Sequence, residues 1–185
     1  MKGNLTIDEK VITIPSSHKE IKLIQFENLV NIFKKDYQLE LLKNIDLVAT
    51  ITNLSVDEVE QLDLDTFNEI IDRINSIDIM DFGKNYMPEI NVNGELFGTK
   101  AADDDYKFTV KETLSLQALL VDEREGYISE ICAIIYHPIV DGVIKKDYSE
   151  KAINERKEKF KDLTIDIVGP YLTKLNQFLD KKKNA

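Results

Sequence analysis

Apolar residues recur every three or four positions along most of the chain, the spacing that gives an α-helix one apolar side. Segment 128–136 is the most continuously apolar, and its pattern predicts a helix that is nearly surrounded by protein. The preceding segment, 109–120, opens with Thr109 and Glu112, a pair that can satisfy two free amides of a first helical turn. With the acidic loop 122–125 and Gly126 between them, the two segments predict a helical hairpin.

The same spacing predicts further helices in both halves of the chain. Ser17 with Glu20 and Ser55 with Glu58 are spaced as capping boxes, so each pair predicts a helix start. Pro170 either kinks the last helix or marks its start. The predicted helices cover 17–34, 39–51, a short and a longer helix within 56–79, 149–161 and 164–181. The residues expected on the buried side of the longer one are Leu62, Leu64, Phe67, Ile70, Ile71 and Ile74.

Three short stretches have β character instead. Residues 11–14 are a β-branched run that Pro15 ends, and Asn93-Gly94 between two apolar-containing runs is a strong hairpin signal. Residues 106–110 can add a third strand. The predicted fold class is mainly α within α+β, a compact helical domain with a small antiparallel β-hairpin or three-stranded sheet inserted near residues 89–110. We expect a single domain over residues 1–185, which combines N-terminal helices 17–79, the β-insert, and a core helical hairpin plus C-terminal helices 109–181.

Composition and charge narrow the classes of partner. Of the 185 residues, 43% are hydrophobic and 31% are charged, as in a soluble folded protein. The net charge of −10 disfavours nucleic acid as the main partner, because phosphate binding requires clustered Lys and Arg. No apolar run approaches the roughly 20 residues of a bilayer-spanning helix, and the first residues lack the apolar core of a signal peptide. We therefore expect no membrane partner.

Few residues could carry catalysis or hold a metal. Cys132 is the only cysteine and lies among Ile and Ala residues, so we expect a buried and inert thiol. His137 follows the core helix and is expected to cap its end or to face solvent. The acidic run 103–105 lacks the Gly and Glu that a calcium-binding EF-hand loop would place after it. The sequence therefore predicts no catalytic residue, no cofactor and no metal site, and a protein that is not an enzyme.

Two charged segments are candidate contact surfaces. Seven acidic residues and no basic residue lie within 57–72, and the predicted helix at 150–161 is charged along most of its length. A solvated surface is the simpler interpretation of both segments, and a binding face for a partner is the more specific one. The residues proposed for partner contact are Asp57, Glu58, Glu60, Asp63, Glu150, Glu155, Arg156 and Lys159.

Four stretches, taken in order, resemble a known family. They are LVATITNLSVDEVEQL at 47–62, FTVKETLSLQALL at 108–120, ISEICAIIYHP at 128–138 and FKDLTIDIVGPYLTKLNQF at 160–178. Their succession resembles small structural and assembly proteins of tailed bacteriophages, among them crAss-like phage virion proteins and tail-assembly-chaperone-like families. The chain departs from the family pattern at 115–117, where the family usually has an acidic residue, so no function tied to that acid is carried over.

The resemblance implies a protein without catalytic residues that acts by protein–protein contacts in the virion, at portal, tail or capsid, or as a tail assembly chaperone. The implied partners are other phage structural proteins and copies of itself, in the virion or in the cytoplasm of the infected bacterial host. Two other classes stay open: a bacterial cytoplasmic adaptor or regulatory binding module, and an enzyme with a shallow carboxylate site. Whether the protein leaves after assembly or stays in the particle is open as well.

Overall fold

The computed structural model describes residues 3–7, 10–79, 82, 86–101, 106–122 and 127–173. These residues are mainly helical, with a two-stranded and a four-stranded antiparallel sheet, so the predicted α+β class with mainly helical character is confirmed. The chain divides into two units, residues 1–81 and residues 82–185. The expectation of a single domain over 1–185 stays a prediction.

Unit 1, residues 1–81, begins with an antiparallel hairpin. Strand β1 (Gly3–Ile7) pairs with β2 (Lys10–Ile14), and Leu5 stands opposite Ile12 in the register. The β-branched run at 11–14 predicted β2, whereas β1 has a weaker apolar signal and was not predicted. Ile12 and Ile14 are buried, because β2 packs against two helices of this unit.

Four α-helices follow in unit 1. They are α1 (Leu23–Lys34), α2 (Glu40–Thr52), α3 (Val56–Glu60) and α4 (Leu64–Asn75). The predicted capping box of α3 is confirmed: the Glu58 N–H donates to Ser55 Oγ at 3.2 Å, and the Ser55 N–H donates to the Glu58 carboxylate at 2.8 Å. Asp63 caps α4 and accepts from the Thr66 N–H at 2.9 Å. Side-chain caps therefore set the starts of both acidic helices.

The predicted start of the first helix at Ser17 is wrong. His18–Glu20 forms a short 3₁₀-helix, and α1 begins only at Leu23. The Glu20 carboxylate accepts from the Ser16 N–H at 2.9 Å, and the Ser17 side chain makes no cap hydrogen bond. Capping residues at the right spacing therefore mark a turn here, but not the beginning of a longer helix.

The core of unit 1 forms where α2 packs against α1, α4 and β2. Its fully buried side chains include Ile14, Ile21, Leu29, Val48, Ile51 and Ile70. The expectation that Leu64 lies on the buried side of α4 is wrong, since this first residue of the helix is 67% exposed. Phe33, Leu41 and Leu42 are exposed as well, although they belong to the apolar residues of the predicted helices. All four lie in the terminal turns of their helices, where core neighbours are fewer.

Unit 2, residues 82–185, contains a four-stranded antiparallel sheet. Its order is β3 (Glu89–Val92), β4 (Glu95–Gly98), β5 (His137–Val140) and β6 (Val143–Ile144). The hairpin predicted at Asn93-Gly94 is confirmed, with φ angles of 53° and 86° that Asn and Gly adopt at low cost. The third strand predicted at 106–110 is wrong, because residues 106–109 are neither strand nor helix and Val110 begins a helix. The sheet is extended instead by β5 and β6, which follow the core helix.

The helices of unit 2 are α5 (Val110–Asp122), α6 (Tyr127–Ile135), α7 (Glu150–Phe160) and α8, which starts at residue 165 and is described as far as 173. The α5 and α6 helices pack against each other, as the predicted helical hairpin requires. Pro170 lies inside α8 and does not mark its start. Three predicted features lie outside the described residues: the loop 123–126, the acidic run 103–105 and the end of the last helix at 174–181.

Helix α6 forms the centre of unit 2 and is buried over almost its whole length, as its pattern predicted. Cys132 is fully buried, which agrees with the expectation of a core thiol. Beyond the helix end, the hydroxyls of Tyr136 and Tyr171 both donate to the Met87 carbonyl, at 2.6 and 2.7 Å. The end of α6, helix α8 and the segment before β3 therefore meet at one carbonyl oxygen.

Candidate functional site

Four of the residues proposed for partner contact lie on α3 and α4 of unit 1, or cap them. Asp57 and Glu60 are exposed. Glu58 and Asp63 use their carboxylates as helix caps, and hydrogen bonds from the Thr66 backbone and hydroxyl lower the pKa of Asp63. Because capping already engages Glu58 and Asp63, Asp57 and Glu60 are the better candidates for a contact with another molecule.

Three of the other four candidates lie on the surface of α7 in unit 2. Glu150 and Glu155 are exposed, and Lys151 lies 3.9 Å from Glu155 one turn away. The Lys159 ammonium pairs with the Glu95 carboxylate of β4 at 2.6 Å. Exposed pairs of this kind contribute only about 0–1 kcal/mol to stability, so these side chains can exchange partners at little cost.

Arg156, the fourth candidate on α7, does not lie on the surface. Its side chain is buried, with Nε donating to the Ala133 carbonyl and Nη2 donating to the Asp147 carbonyl, each at 2.7 Å. The guanidinium thus joins α7 to the core helix α6 and to the loop that precedes α7. The Arg156 side chain is therefore a buried structural contact, and a partner cannot reach it without disturbing unit 2.

A group of exposed apolar side chains at the end of α1 and the start of α2 forms what we call the hydrophobic patch: Phe33, Leu39, Leu41 and Leu42. Phe33 is 57% and Leu39 is 61% exposed. The Lys43 ammonium lies 5.3 Å from the centre of the Phe33 ring, which adds positive charge to this surface. Exposed apolar groups of this extent mark interaction sites more often than scattered single residues do.

Phe33 also borders a cleft of about 250 Å³ in unit 1. The walls of the cleft are mostly apolar and come from α1, α2, α4 and the segment that follows α4. The other apolar residues of the walls are Phe26, Leu29, Val30, Leu47, Ile74, Ile77 and Ile79. The hydrophobic patch therefore continues into a recess that can take up an apolar side chain.

Two further exposed apolar groups adjoin charged residues. On α5 of unit 2, Val110, Leu114 and Ala118 are exposed at four-residue spacing, with Val110 78% exposed. In unit 1, Val56 and Leu64 are the first residues of α3 and α4 and stand among the acidic residues of those helices. Exposed apolar side chains therefore occur in both units.

The buried carboxylate of Glu112 on α5 is the centre of a polar cluster in unit 2. It accepts hydrogen bonds from the Tyr148 hydroxyl at 2.6 Å and from the Tyr106 hydroxyl at 2.7 Å, and the Lys146 ammonium lies 3.2 Å away. It also completes the predicted capping box, because the Thr109 N–H donates to it at 2.7 Å. The cluster therefore ties the irregular segments before α5 and before α7 to one helix end.

Hydrogen bonds to the Glu112 carboxylate favour its ionised form. Burial alone would raise the pKa of this carboxyl, but hydrogen bonds from Tyr148, from the Thr109 backbone and from Tyr106 outweigh burial and lower the pKa to about 2. A general acid that works near neutral pH needs a raised pKa instead. The geometry around Glu112 therefore indicates a structural carboxylate, held ionised by its donors, and gives the enzyme hypothesis no support.

His137, expected to cap the core helix or to face solvent, is buried, so the expectation that it faces solvent is wrong. It is 1% exposed and packs edge-on against the Tyr148 ring, with 4.9 Å between ring centres. Neither ring nitrogen makes a hydrogen bond of good geometry, but the Ile134 backbone in the last turn of α6 favours the protonated imidazole. Burial, together with the positive charges of Arg156 and Lys146, lowers the pKa of His137 to about 4. His137 is therefore neutral at pH 7 and has no solvent access to act as a base.

A polar cleft of about 300 Å³ lies between α6 and α7, with Tyr148 on its wall. Across it the Glu130 carboxylate and the Lys157 ammonium are 3.7 Å apart, so the two charges offset each other. His137 is not among the lining residues. The cleft therefore does not open onto the His137 imidazole.

Within the described ranges, no group of three or more His, Cys, Asp or Glu side chains is placed to hold a metal ion. Of the helices in the part of the chain that the structure covers, none has the length and apolar character that crossing a bilayer requires. Comparison with protein-family models, with curated proteins and with solved structures found no match.

The hydrophobic patch is the main functional candidate that sequence reasoning missed. The α2 pattern carries no signal for it, because Leu41 stands four and seven positions before Ile45 and Val48, which are buried on the core face of the helix. The three- and four-residue spacing of apolar residues in a helix predicts that such residues are buried.

Proposed function

We propose that this chain is a non-enzymatic assembly protein that acts through protein–protein contacts, as structural proteins and assembly chaperones of tailed bacteriophages do. The observation that carries the proposal is the set of large apolar side chains that stand exposed beside charged residues. Phe33, Leu64 and Val110 are each more than half exposed. Burying such side chains against a partner contributes about 1.5–3 kcal/mol each, enough for a few of them to drive association.

The bacteriophage part of the proposal is supported by the ordered succession of the four motifs at 47–62, 108–120, 128–138 and 160–178. Its partners would be other phage structural proteins at portal, tail or capsid and copies of this chain, in the virion or in the infected bacterial cytoplasm. The test is mass spectrometry of purified particles and of infected-cell extracts. A fixed copy number in particles supports a virion subunit, and presence in extracts bound to tail proteins supports a chaperone. Absence from both would refute the proposal, and a stable monomer that binds one host protein would favour the bacterial adaptor.

The acidic face, which consists of the seven acidic residues within 57–72, is tested with charge-neutralising variants that spare the helix caps. Asp57→Asn combined with Glu60→Gln removes two exposed charges and leaves Glu58 and Asp63 in place. Against a basic partner we expect weaker binding and a smaller dependence of affinity on salt, because exposed charges act through screened electrostatics. The matched control is Glu89→Gln, which removes an exposed charge in the other unit at a residue not proposed for partner contact. Unchanged affinity and unchanged salt dependence in the Asp57/Glu60 variant would show that this face takes no part.

A further inference from the structure

We propose that Asn93, in the turn between β3 and β4, is a site of slow deamidation and that the Asn91 side chain controls its rate. Asn93-Gly94 is the only Asn-Gly pair in the sequence. A glycine after asparagine favours the reaction, because no side chain shields the glycine nitrogen. Both residues are exposed, and nothing lies within 4 Å of the position that a Cβ on Gly94 would take. Water is the only reactant needed, so the modification does not depend on the proposed function.

The reaction has two steps. The Gly94 backbone nitrogen gives up its proton and attacks Cγ of Asn93. The new N–Cγ bond closes a five-membered imide ring, while the Cγ–Nδ2 bond breaks and Nδ2 takes up a proton and leaves as ammonia. Water then opens the ring at one of its two carbonyls. Addition at Cγ gives aspartate, and addition at the main-chain carbonyl gives isoaspartate, in which the main chain runs through Cβ and Cγ.

The folded turn keeps the reacting atoms apart. The φ angles of 53° at Asn93 and 86° at Gly94 are those of a type I′ turn. In such a turn the Gly94 nitrogen lies on the opposite side of the Asn93 Cα–C bond from Cβ, whereas the imide ring requires both on the same side. The turn must therefore open before the ring can close, and the population of the open turn limits the rate.

The Asn91 carboxamide holds this turn closed. The Gly94 N–H donates to Asn91 Oδ1 at 2.9 Å. This hydrogen bond engages the same nitrogen that must lose its proton and move towards Cγ. The strand register on either side, with Val92 opposite Glu95 and Asn91 opposite Leu96, keeps donor and acceptor together. Loss of the acceptor at position 91 should therefore increase the population of the open turn.

The other hairpin turn of the sheet indicates which product the fold accepts. Asp141-Gly142 joins β5 to β6 with φ angles of 52° and 71°, so aspartate with glycine forms a turn of the same kind. Aspartate at position 93 therefore fits the β3–β4 turn. Isoaspartate lengthens the main chain by one carbon, which disturbs the register that a two-residue turn sets. Phe97 of β4 is buried in the core of unit 2, so a disturbed β4 should destabilise that unit.

The rates can be measured on the full-length protein at mildly alkaline pH by peptide mapping and mass spectrometry. In urea that unfolds the chain, Asn93 should deamidate faster than every other asparagine and more than about tenfold faster than in the native protein. Asn91→Val removes the acceptor but suits a strand, and should raise the native rate at Asn93 about two- to tenfold, the effect of losing one ordinary hydrogen bond. Asn91→Asp keeps an acceptor and should react no faster than the wild type.

Glu89→Val is the matched control, because Glu89 is exposed on the same face of β3, and it should leave the rate at Asn93 unchanged. Circular dichroism checks that each variant folds, and Asn91→Ala serves if Asn91→Val does not. Exchange of the Gly94 amide proton, followed by NMR, should speed up in the variants that lack the acceptor and stay unchanged in Glu89→Val. The isoaspartate form, separated by ion exchange, should unfold at a lower temperature than Asn93→Asp.

Equal rates at Asn93 in native and unfolded protein would overturn the proposal that turn opening limits the reaction. Faster conversion of another asparagine in urea would overturn Asn93 as the favoured site. A wild-type rate in folded Asn91→Val, or a rate in Asn91→Asp as high as in Asn91→Val, would show that the acceptor at position 91 does not control deamidation. An isoaspartate form as stable as Asn93→Asp would refute the expected damage to the sheet.

Discussion

Replacing Glu112 by Gln should destabilise unit 2 far more than its position in a first helical turn would suggest. The carboxylate accepts from two tyrosine hydroxyls and the Thr109 backbone and lies 3.2 Å from the Lys146 ammonium, with its side chain only 6% exposed. Glutamine keeps the shape but removes the charge. It also removes the counter-ion of Lys146, whose side chain is 35% exposed and keeps its contact with the Tyr106 hydroxyl at 3.0 Å.

The magnitude follows from the pKa of Glu112, which is lowered from 4.5 to about 2. Each pKa unit corresponds to about 1.4 kcal/mol of preference for the ionised form. The hydrogen bonds around Glu112 therefore stabilise its charged carboxylate by about 3 kcal/mol at neutral pH. Because the pKa is lowered on folding, this stabilisation is fully present above pH 4.5 and is lost as the pH falls towards 2. We therefore expect Glu112→Gln to lower the free energy of unfolding by about 3 kcal/mol at pH 7 and by much less near pH 3.

Urea unfolding followed by tyrosine fluorescence suits this test, because six of the seven tyrosines lie within 82–185 and the chain has no tryptophan. The control is Glu150→Gln, which changes an exposed glutamate in the first turn of α7 and should cost less than about 1 kcal/mol. The reasoning fails if Glu112→Gln costs no more than this control at pH 7. It also fails if the difference between Glu112→Gln and the wild type is the same at pH 7 and near pH 3.

Three further predictions concern unit 2. His137→Phe should reduce the pH dependence of stability between pH 6.5 and 4, because the lowered pKa of His137 makes unfolding easier as the pH falls through that range; urea unfolding at pH 7 and pH 5 measures this. Arg156→Met should cost about 2–4 kcal/mol in the same assay, because the buried Ala133 carbonyl and the partly buried Asp147 carbonyl lose their donor. Gly169→Ala should destabilise unit 2 by more than about 2 kcal/mol, because the added Cβ would overlap the Phe82 side chain. Gly142→Ala should cost only about 1 kcal/mol, because its φ of 71° disfavours alanine but the space around it is open. Thermal unfolding of the two variants compares these costs.

Local signals predicted where several elements begin. The capping boxes at Ser55 and Thr109 and the turn at Asn93-Gly94 act within four residues, so the spacing of side chains is enough to identify them. The same kind of signal failed at Ser17, where only a short 3₁₀-helix forms. Helical spacing also identified α6 as a core helix, because apolar residues around the whole cylinder require protein on every side.

The sequence did not predict which apolar residues are buried by other elements of the fold. Leu64 has the spacing of a buried residue but stands 67% exposed, and the apolar residues of the hydrophobic patch are exposed for the same reason: helix ends extend past the helices that pack against them. Strand β6 pairs with β5 across the turn at Asp141-Gly142, a local pairing that was missed, and β5 itself was missed because its other partner, β4, lies about forty residues earlier in the chain. Contacts at that separation depend on how the chain packs, which a local pattern does not contain.

Glu58 and Glu112 show most directly the difference between what the sequence determines and what the tertiary structure determines. The sequence gives both the same motif, a Ser or Thr followed three residues later by Glu, and both form the capping box that this motif predicts. Only packing brings Tyr106, Tyr148 and Lys146 around Glu112, buries its carboxylate and lowers its pKa, whereas Glu58 stays at the surface. Backbone geometry within one turn follows from neighbouring residues. The burial and the pKa of Glu112 also depend on Lys146 and Tyr148, which lie 34 and 36 positions away, and the tertiary structure alone brings those neighbours to it.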